Sequence, residues 1–593
     1  MCGIFGYANT RENDAFEIIH NGLKRLEYRG YDSWGVSVLQ DNTIKTYKTT
    51  QDLSKNPKNA VVKAKTGIGH TRWATHGGVT KNNAHPHHAS DKSFVLAQNG
   101  IVENFHDLKA FLVKTGCKFS TQTDTEVIVK LIEHYAKKTP NFEKAVIRAF
   151  KKLKGRNTII ILSKNNRIIA IKNGSPLTIG LQGDQIFFSS DTLSFADHTN
   201  QVIVLNDNEM VTYDGQKTIK NLDFYDLKQN KVIHKKPLLI ENCEQKIEKG
   251  GFDHFMLKEI IEQASAVTAA TNYSLEELKP VINLIKKSDQ IFTVGAGTAS
   301  FAASQIAYFL RKIANINAMG LKSYEVSSYK DVFNQNSVLL VFSQSGETAD
   351  TIEAMDIAKQ KGAKIVSLVN MMGSTISRKS ELAYYLRVGP EICVVSTKAF
   401  VGKIAWGYLL ANSLAKNFTE TKKELEMVSK KLEKMTDGKF LKSVEKLAKK
   451  LVEKEIIFVL GRGQNYHIAQ EGALKIKESS YKNAEAFSAG ELKHGVIALI
   501  KKGVPVICVV SEDSEKRKML NAVSEIKVRG GNVIGISKKE NEMFDTFIKT
   551  KNLGGLDCVA NLIPFQLLGY YMSVLQGFNP DKPRNLAKSV TVS

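Results

Sequence analysis

MCGIFG, residues 1–6, is the stretch from which the rest of the chain is read. A cysteine at position two lies one cleavage from the N-terminus, and initiator methionine is trimmed when the next side chain is small. Cys2 would then carry thiol and free α-amine on one residue. An α-amine titrates at roughly 7.7–8.0, so it can take the thiol proton near neutral pH. That makes a nucleophile with its own general base. Gly3 and Gly6 allow close backbone approach, and Ile4-Phe5 reads as a buried strand that anchors the cysteine. The same six residues also describe an ordinary first strand with Cys2 as a small apolar residue. The polar clusters downstream decide between the two.

Short strands are expected at 3–8, 34–39, 67–70 and 93–98, and again at 157–163, 167–171, 185–189 and 201–204. Helices are expected at 13–27 and 125–138, the second with Val127, Ile128, Leu131, Ile132 and Tyr135 on one face and Thr123 or Asp124 at its cap. Many strands and few helices give a β-rich α+β layer domain. Within it, HTRWATHG at 70–77, NAHPH at 83–87, QNG at 98–100 and TDTE at 123–126 hold more polar residues than folding needs. Each has a plainer use: Asp124 as a cap, His85 and His87 as loop residues, Asn99-Gly100 as a hairpin turn. Zinc on histidines 76, 85, 87 and 88 matches no ligand spacing, and Pro86 stiffens that loop.

Composition narrows the classes. The chain has 593 residues, 42% hydrophobic and 24% charged, as expected of a multidomain soluble protein. No apolar run reaches the roughly 18 residues that span a bilayer, and Arg11 to Asp14 interrupt any signal-peptide core. The six cysteines are scattered with no CxxC pair, which fits a reducing cytoplasm and argues against a zinc site or disulfides. A net charge of +23 invites a nucleic-acid reading. The charge is mostly lysine on amphipathic segments such as 421–454, so solvated helix faces account for it.

The first third resembles the glutamine amidotransferase domain of the N-terminal-nucleophile class, an αββα layer fold. The likeness covers 2–218 and rests on MCGIFGY, RLEYRGYDS at 25–33, HTRWATHG, NAHPH, NGIVEN at 99–104 and TDTEV at 123–127, in the family's order. It implies that Cys2 attacks the side-chain amide of glutamine and holds a glutamyl thioester. Asn99 and the Gly100 N–H would form the oxyanion hole. Arg72, aided by Thr75 and His76, would clamp the α-carboxylate, and Asp124 the α-ammonium. Trp73 would gate an ammonia passage. Gln98 stands where relatives have histidine, and Trp34 where they have alanine.

Residues 219–250, rich in lysine and asparagine, read as a linker, and 251–263 as the start of an amphipathic helix. From about 280 strand and helix alternate, which implies parallel sheets. The pattern also repeats. IFTVGAG (291–297) matches IFVLGRG (457–463), LLVFSQS (339–345) matches ICVVSED (507–513), and KIVSLV (364–369) matches NVIGIS (532–537). Gly295 maps to Gly461, Ser343 to Ser511 and Lys364 to Asn532, a nearly constant offset. Two α/β copies are expected at 280–420 and 448–583, joined by the helical stretch 420–450, with a tail at 584–593. The third glycine of GxGxxG is missing from both copies, which discounts a dinucleotide. SQSGET (343–348) places hydroxyls and free N–H groups at a helix N-terminus, a phosphate cradle that exceeds capping needs. In EGALKIKE (471–478), Glu471, Lys475 and Glu478 share one helix face, which alone reads as a surface salt-bridge ladder. Lys588 alone reads as a solvated tail charge.

VFSQSGETADT (341–351), PEICVVSTKAF (390–400), EGALKIKE, AGELKHG (489–495) and KPRNLAKSVTV (582–592) resemble the tandem sugar-isomerase domains of the glutamine–fructose-6-phosphate aminotransferases. That resemblance implies glucosamine 6-phosphate synthesis from glutamine and fructose 6-phosphate, the first step of hexosamine biosynthesis, with ammonia passed internally and no metal or organic cofactor. Ser343, Gln344, Ser345 and Thr348 would hold the sugar phosphate, with Thr298 and Ser396 nearby. Lys588 would form a Schiff base at C2, Glu478 would move the C1–C2 proton, and His494, shared across a homodimer, would open the ring. Ala296, Ala299 and Cys393 replace the family's cysteine, serine and glycine. The sequence lacks the phosphoribosyl-diphosphate and SGGxDS motifs of other amidotransferases. A sugar-phosphate sensor remains as an alternative, opposed by the joint presence of Glu478, His494 and Lys588. No membrane or nucleic-acid partner is expected.

Overall fold

A computed structural model describes residues 2–54, 63–215, 222–240 and 248–591. The chain divides into two compact units, Met1–Lys246 with Ser589–Ser593, and Ile247–Lys588. Met1, and residues 219–221 and 241–247 of the expected linker, lie outside the described residues.

The first unit holds strands β1 (Gly3–Asn13), β2 (Ser33–Gln40), β3 (Thr43–Thr49), β4 (Ala64–Arg72), β5 (His87–His88), β6 (Phe94–Gly100), β7 (Asn157–Ser163), β8 (Arg167–Lys172), β9 (Thr178–Gln182), β10 (Gln185–Ser189), β11 (Gln201–Val204), β12 (Glu209–Asp214), β13 (Asp223–Asp226), β14 (Lys231–Ile233) and β15 (Leu238–Leu239). Its helices are α1 (Ala15–Arg25), α2 (Phe105–Lys114), α3 (Thr125–Ala136) and α4 (Phe142–Phe150). Two sheets form, in the orders β15-β11-β9-β10-β1-β4-β2-β3 and β14-β13-β12-β8-β7-β6-β5. Alternation along β1 sets the layers. Ile4 and Ala8 face inward onto Val95, Ala97, Ile160 and Leu162 of the second sheet. Phe5 and Tyr7 face outward and are covered by Ile19 and Leu23 of α1. On the far side α3 and α4 cover Leu96, Ile159 and Ile161. The result is the expected αββα sandwich. Three strands, β13 to β15, occupy part of the stretch expected to be a linker, and β13 pairs with β12 in register Met210 to Tyr225. Lysine and asparagine concealed this extension, because edge strands with solvated faces lose the apolar alternation.

The second unit opens with α5 (Phe255–Ile261), α6 (Gln263–Ala270) and α7 (Leu275–Lys286). The first repeat follows: β16 (Gln290–Gly295), α8 (Thr298–Ala314), β17 (Ala318–Lys322), β18 (Ser337–Phe342), α9 (Ala349–Gln360), β19 (Lys364–Val369), α10 (Thr375–Lys379), β20 (Leu382–Tyr385) and α11 (Lys398–Leu414). Helices α12 (Phe418–Glu433) and α13 (Gly438–Leu451) lead to the second: β21 (Ile456–Gly461), α14 (Gln464–Ser480), β22 (Asn483–Ser488), β23 (Pro505–Val510), α15 (Lys516–Val528), β24 (Asn532–Ser537), β25 (Thr546–Lys549) and α16 (Asp557–Leu575). Both sheets are parallel, with the matching orders β17-β16-β18-β19-β20 and β22-β21-β23-β24-β25. The repeat extends to single dihedrals: Gly297 and Gly463, each preceding a helix, have φ/ψ of 54/−129° and 57/−127°. In such sheets ligands sit where strand order reverses, here at the C-terminal ends of β16 and β18. The helix that closes the chain, Gly554–Leu575, is long and apolar enough to cross a membrane, contrary to the sequence expectation. Of its apolar window, 83% is buried inside the protein, as in a core helix.

Candidate active sites

The first site grows from the start of β1. Gly3 pairs with Thr71 of β4, which brings Cys2 beside Trp73. The Trp73 backbone N–H donates to Cys2 Sγ at 3.3 Å, and the thiol lies 3.6 Å from the Trp73 carbonyl. Burial pushes the Cys2 thiol up, while the Trp73 N–H and Arg72 pull the other way. A base is therefore needed to form the thiolate.

Asn99 and Gly100, the expected oxyanion pair, sit at the end of β6. Gly100 has φ +136°, and a Cβ there would lie 2.0 Å from the Arg156 carbonyl oxygen, so only glycine fits. Asn99 is oriented from both ends. His70 Nε2 lies 3.2 Å from Asn99 Oδ1 and 2.9 Å from the Gln98 carbonyl, two acceptors, so Nε2 carries the proton. Burial pushes His70 down to about 3, which keeps it neutral. Asn99 Nδ2 donates to Ser190 Oγ at 2.8 Å, and Ser190 Oγ accepts from the Ile4 backbone at 2.9 Å. One Nδ2 hydrogen remains for a ligand. His70, Thr71 and Ser190 hold this arrangement in place, and sequence reasoning assigned them no role.

The residues expected to clamp glutamine lie on β4, the 73–78 loop and the start of α3. Arg72 is buried and donates to the carbonyls of His76 at 2.6 Å and of Gly77 and Gly78 at 3.1 Å each. It thus shapes the 76–78 loop and keeps two guanidinium hydrogens for a ligand. Asp124 does not cap α3 with its side chain. Its Oδ2 accepts from the Val102 N–H at 2.8 Å, and burial raises its carboxyl. Thr75 is exposed and His76 half-buried, its ring 5.7 Å from Phe105. Gln98, the departure from the family, is fully engaged by Asn157 at 2.6 Å and Thr125 at 2.5 Å. Trp34 is buried against His20 and Tyr47 and donates to the Gln51 carbonyl at 2.8 Å. The ring of His85 stacks on that of His70 at 4.3 Å and meets that of His87 edge-on at 4.7 Å, and among the described residues no group of three or more His/Cys/Asp/Glu could hold a metal ion.

The second site lies at the reversal point of the first parallel sheet. Ser343 to Thr348 link β18 to α9. Ser343 Oγ accepts from the Gly346 N–H at 3.0 Å and lies 3.4 Å from Thr348 Oγ1. Gly346, at φ +66°, passes so close to Ser374 that a Cβ would lie 2.0 Å from its Oγ. Thr348 occupies the cap position of α9 without a capping bond, so its hydroxyl and the helix N–H groups face any anion placed there.

The second unit also holds two buried charge clusters. Glu471, Lys475 and Glu478 do not form the surface ladder that their spacing allows: Glu471 and Lys475 are fully buried. Lys475 Nζ bonds Glu478 at 2.6 Å and Thr298 Oγ1 at 2.9 Å, and Thr298 donates to Glu471 at 3.3 Å. Burial pushes Glu471 up to about 8. The other cluster centres on Glu391. Lys588, whose side chain is 2% exposed, reaches Glu391 Oε2 at 2.5 Å and the Cys393 carbonyl at 2.7 Å. Ser396 Oγ donates to the same Oε2 at 2.9 Å. Burial alone would raise Glu391; Lys588 overrides it and holds the carboxyl near about 2. Sequence reasoning quoted Glu391 within PEICVVSTKAF and gave it no role. Its signal was a carboxylate in an apolar segment. Glu391→Ala is expected to cost about 3–5 kcal/mol, the penalty for leaving a buried ammonium unpaired. Urea unfolding followed by circular dichroism measures it; a cost below about 1 kcal/mol means Lys588 escapes to water. His494 ends a short turn, Leu492–His494, is exposed, and has no side-chain hydrogen bond to the other site residues.

Residues 45–229 match the family described as glutamine amidotransferase domain, and residues 284–413 and 450–547 match the SIS domain. The glutamine–fructose-6-phosphate aminotransferases (isomerizing) of Pyrococcus horikoshii and Thermococcus kodakarensis are 39% and 38% identical to the chain, each aligned over the full length of both proteins. That of Clostridium acetobutylicum is 37% identical over the same coverage. Among solved structures, the C-terminal domain of glucosamine-fructose-6-phosphate aminotransferase from Francisella tularensis aligns with 56% of the chain and all of that domain, at 32% identity and a TM-score of 0.51.

Proposed function

Because the chain belongs to the glutamine–fructose-6-phosphate aminotransferase (isomerizing) family, we propose that it converts L-glutamine and D-fructose 6-phosphate to L-glutamate and D-glucosamine 6-phosphate. Cys2 Sγ attacks the glutamine amide carbon, ammonia leaves, and water cleaves the thioester. Asn99 and the Gly100 N–H receive the oxyanion, in a frame already fixed by His70 and Ser190. Arg72, Thr75 and His76 take the α-carboxylate, Asp124 takes the α-ammonium, and Trp73 adjoins the departing ammonia.

In the second unit the 343–348 loop takes the phosphate, with Thr298 and Ser396 toward the sugar. Lys588 condenses with C2, and Glu478 moves the proton between C1 and C2. Ammonia from the first reaction replaces the lysine. The observation that carries this reading is the burial of Lys588 against Glu391 and the Cys393 carbonyl, in a terminal tail where a lysine would ordinarily be solvated. His494, exposed on one copy, serves best as a ring-opening acid given to a second copy, which makes the working state a homodimer. The cysteines among the described residues are unpaired, which supports a cytosolic setting.

The test is purified protein with glutamine, scored for glutamate and glucosamine 6-phosphate with and without fructose 6-phosphate. Aminosugar formed in step with glutamate supports the reading. Sugar binding without amination would move the sensor reading ahead.

A further inference from the structure

We propose that Glu259, a buried glutamate outside the steps above, is a positioning residue that aims the Lys588 amine at C2 by fixing the turn whose carbonyl holds it. The inference rests on the reading of Lys588 as the Schiff-base lysine. Glu259 lies in α5 and is 2% exposed. Its Oε1 accepts two consecutive backbone N–H groups, from Ile392 at 2.6 Å and from Cys393 at 3.2 Å. Its Oε2 is buried and has no hydrogen-bond partner among the described residues. An unpaired polar oxygen in the interior is costly, and leucine would pack there without that penalty. The two bonds that Glu259 does make explain the side chain.

Those bonds belong to a closed ring of contacts around the nucleophile. The Cys393 carbonyl, on the same residue whose N–H Glu259 holds, accepts from Lys588 Nζ at 2.7 Å. The Val394 N–H, in the same peptide group as that carbonyl, donates to the Asp581 carbonyl at 3.2 Å. The Asp581 carboxylate in turn accepts from the Phe255 and Met256 N–H groups at 2.9 and 2.8 Å, at the start of the helix that carries Glu259. Helix α5, the 392–394 turn and the tail leading to Lys588 are thereby held in one register. Cys393 Sγ adds a weaker tie, 3.4 Å from the Pro580 carbonyl.

Amine geometry says what this register does. A neutral lysine amine has two N–H bonds and one lone pair, and the lone pair adds to C2. Lys588 Nζ has two fixed acceptors, Glu391 Oε2 at 2.5 Å and the Cys393 carbonyl at 2.7 Å. Together they take both N–H bonds, which leaves the lone pair a single direction. With the Cys393 carbonyl displaced, only Glu391 restrains the amine, which turns about its last bond and loses its aim. The loss is one of orientation, not of substrate binding. In the step itself the N–C2 bond forms, both amine hydrogens leave with the carbonyl oxygen as water, and the imine remains. Burial, and after it the Glu391 charge, pushes Glu259 up to about 8 against the pull of Lys588 and Lys398. At neutral pH Glu259 therefore contributes an acceptor and no charge, which glutamine can reproduce.

The test is borohydride trapping on fructose 6-phosphate, read by intact mass on the full chain at neutral pH, together with KM and kcat for isomerisation. Glu259→Leu removes the acceptor. Trapping and kcat should each fall at least about tenfold while KM stays within about twofold, because the 343–348 loop is untouched. Glu259→Gln keeps the acceptor and should return both to within about threefold of wild type. If circular dichroism shows the leucine variant unfolded, Glu259→Asp, which withdraws the acceptor by one methylene, replaces it, with kcat at least about threefold down at unchanged KM. Wild-type trapping and kcat in the variant used, a KM that rises as far as kcat falls, or a glutamine variant no better than leucine or aspartate overturns the role of Glu259. In each of those cases wild type still traps sugar and the Schiff-base reading stands. A wild type that traps no adduct overturns the Schiff-base reading, and the role of Glu259 falls with it.

Discussion

Cys2→Ala is expected to release no glutamate from glutamine above background, a loss on the order of 10³-fold or more, as when other enzymes lose a nucleophile. Fructose 6-phosphate should still isomerise to glucose 6-phosphate, because Ser343, Glu478 and Lys588 all belong to the other unit. Stability should change by no more than about 1 kcal/mol. Among the described residues the thiol hydrogen-bonds the Trp73 backbone alone, at 3.3 and 3.6 Å, and thiol hydrogen bonds are weak. A coupled glutamate assay and an isomerase assay on the same preparation separate the outcomes. Glutamine hydrolysis that persisted in the variant would remove Cys2 from its role. Loss of both activities would point to misfolding, which thermal unfolding would reveal.

The first layers were legible because β1 and β6 carry short apolar runs, Ile4-Phe5 and Phe94 to Ala97, next to turn and polar signals. Helix α3 announced itself through Val127, Ile128, Leu131 and Ile132 on one face. The duplicated sheet was legible through the spacing of Gly295 and Gly461, which survives because both glycines meet helix backbone at the strand end: a Cβ would lie 2.6 Å from Ala299 in one and 2.1 Å from Asn465 in the other. Strands β3, β9 and β12 and helices α2 and α4 carried no such signal. β3, TIKTYKT, has one fully buried residue, Ile44, and its remaining positions look like loop.

A candidate nucleophile was legible in the residue type at Cys2, whereas Lys588 reads alone as a solvated tail charge and is singled out only by the resemblance of KPRNLAKSVTV. Chemistry was not legible where the role is to hold another group. His70, Ser190 and Glu391 act through hydrogen bonds that reach residues 29, 91 and 197 positions away. No local pattern encodes such pairs. The Glu471–Lys475–Glu478 spacing fits a solvated ladder and a buried one equally well, and only the packing of α14 against α16 and α8 decides for burial.

Lys588→Ala is expected to abolish both synthesis and isomerisation by orders of magnitude, while glutamine hydrolysis without sugar remains. A covalent step disappears with the amine, and no neighbour can replace it. Lys475 is bound to Glu478 and Thr298, and Lys403 reaches no further than Ala399. Loss of activity alone would not separate chemistry from structure, since the variant removes the ammonium that hydrogen-bonds the buried Glu391, at a cost of about 3–5 kcal/mol. The double variant Lys588→Ala, Glu391→Gln also removes the carboxylate charge. It should recover most of the lost stability in urea, because a neutral amide can still accept from the Thr397 and Ala399 N–H groups, and it should recover none of the activity. Borohydride with fructose 6-phosphate should add one sugar to wild type and nothing to either variant. Near-normal synthesis by the single variant would make Lys588 a structural counter-ion to Glu391 and leave the second site without its electrophile-forming amine.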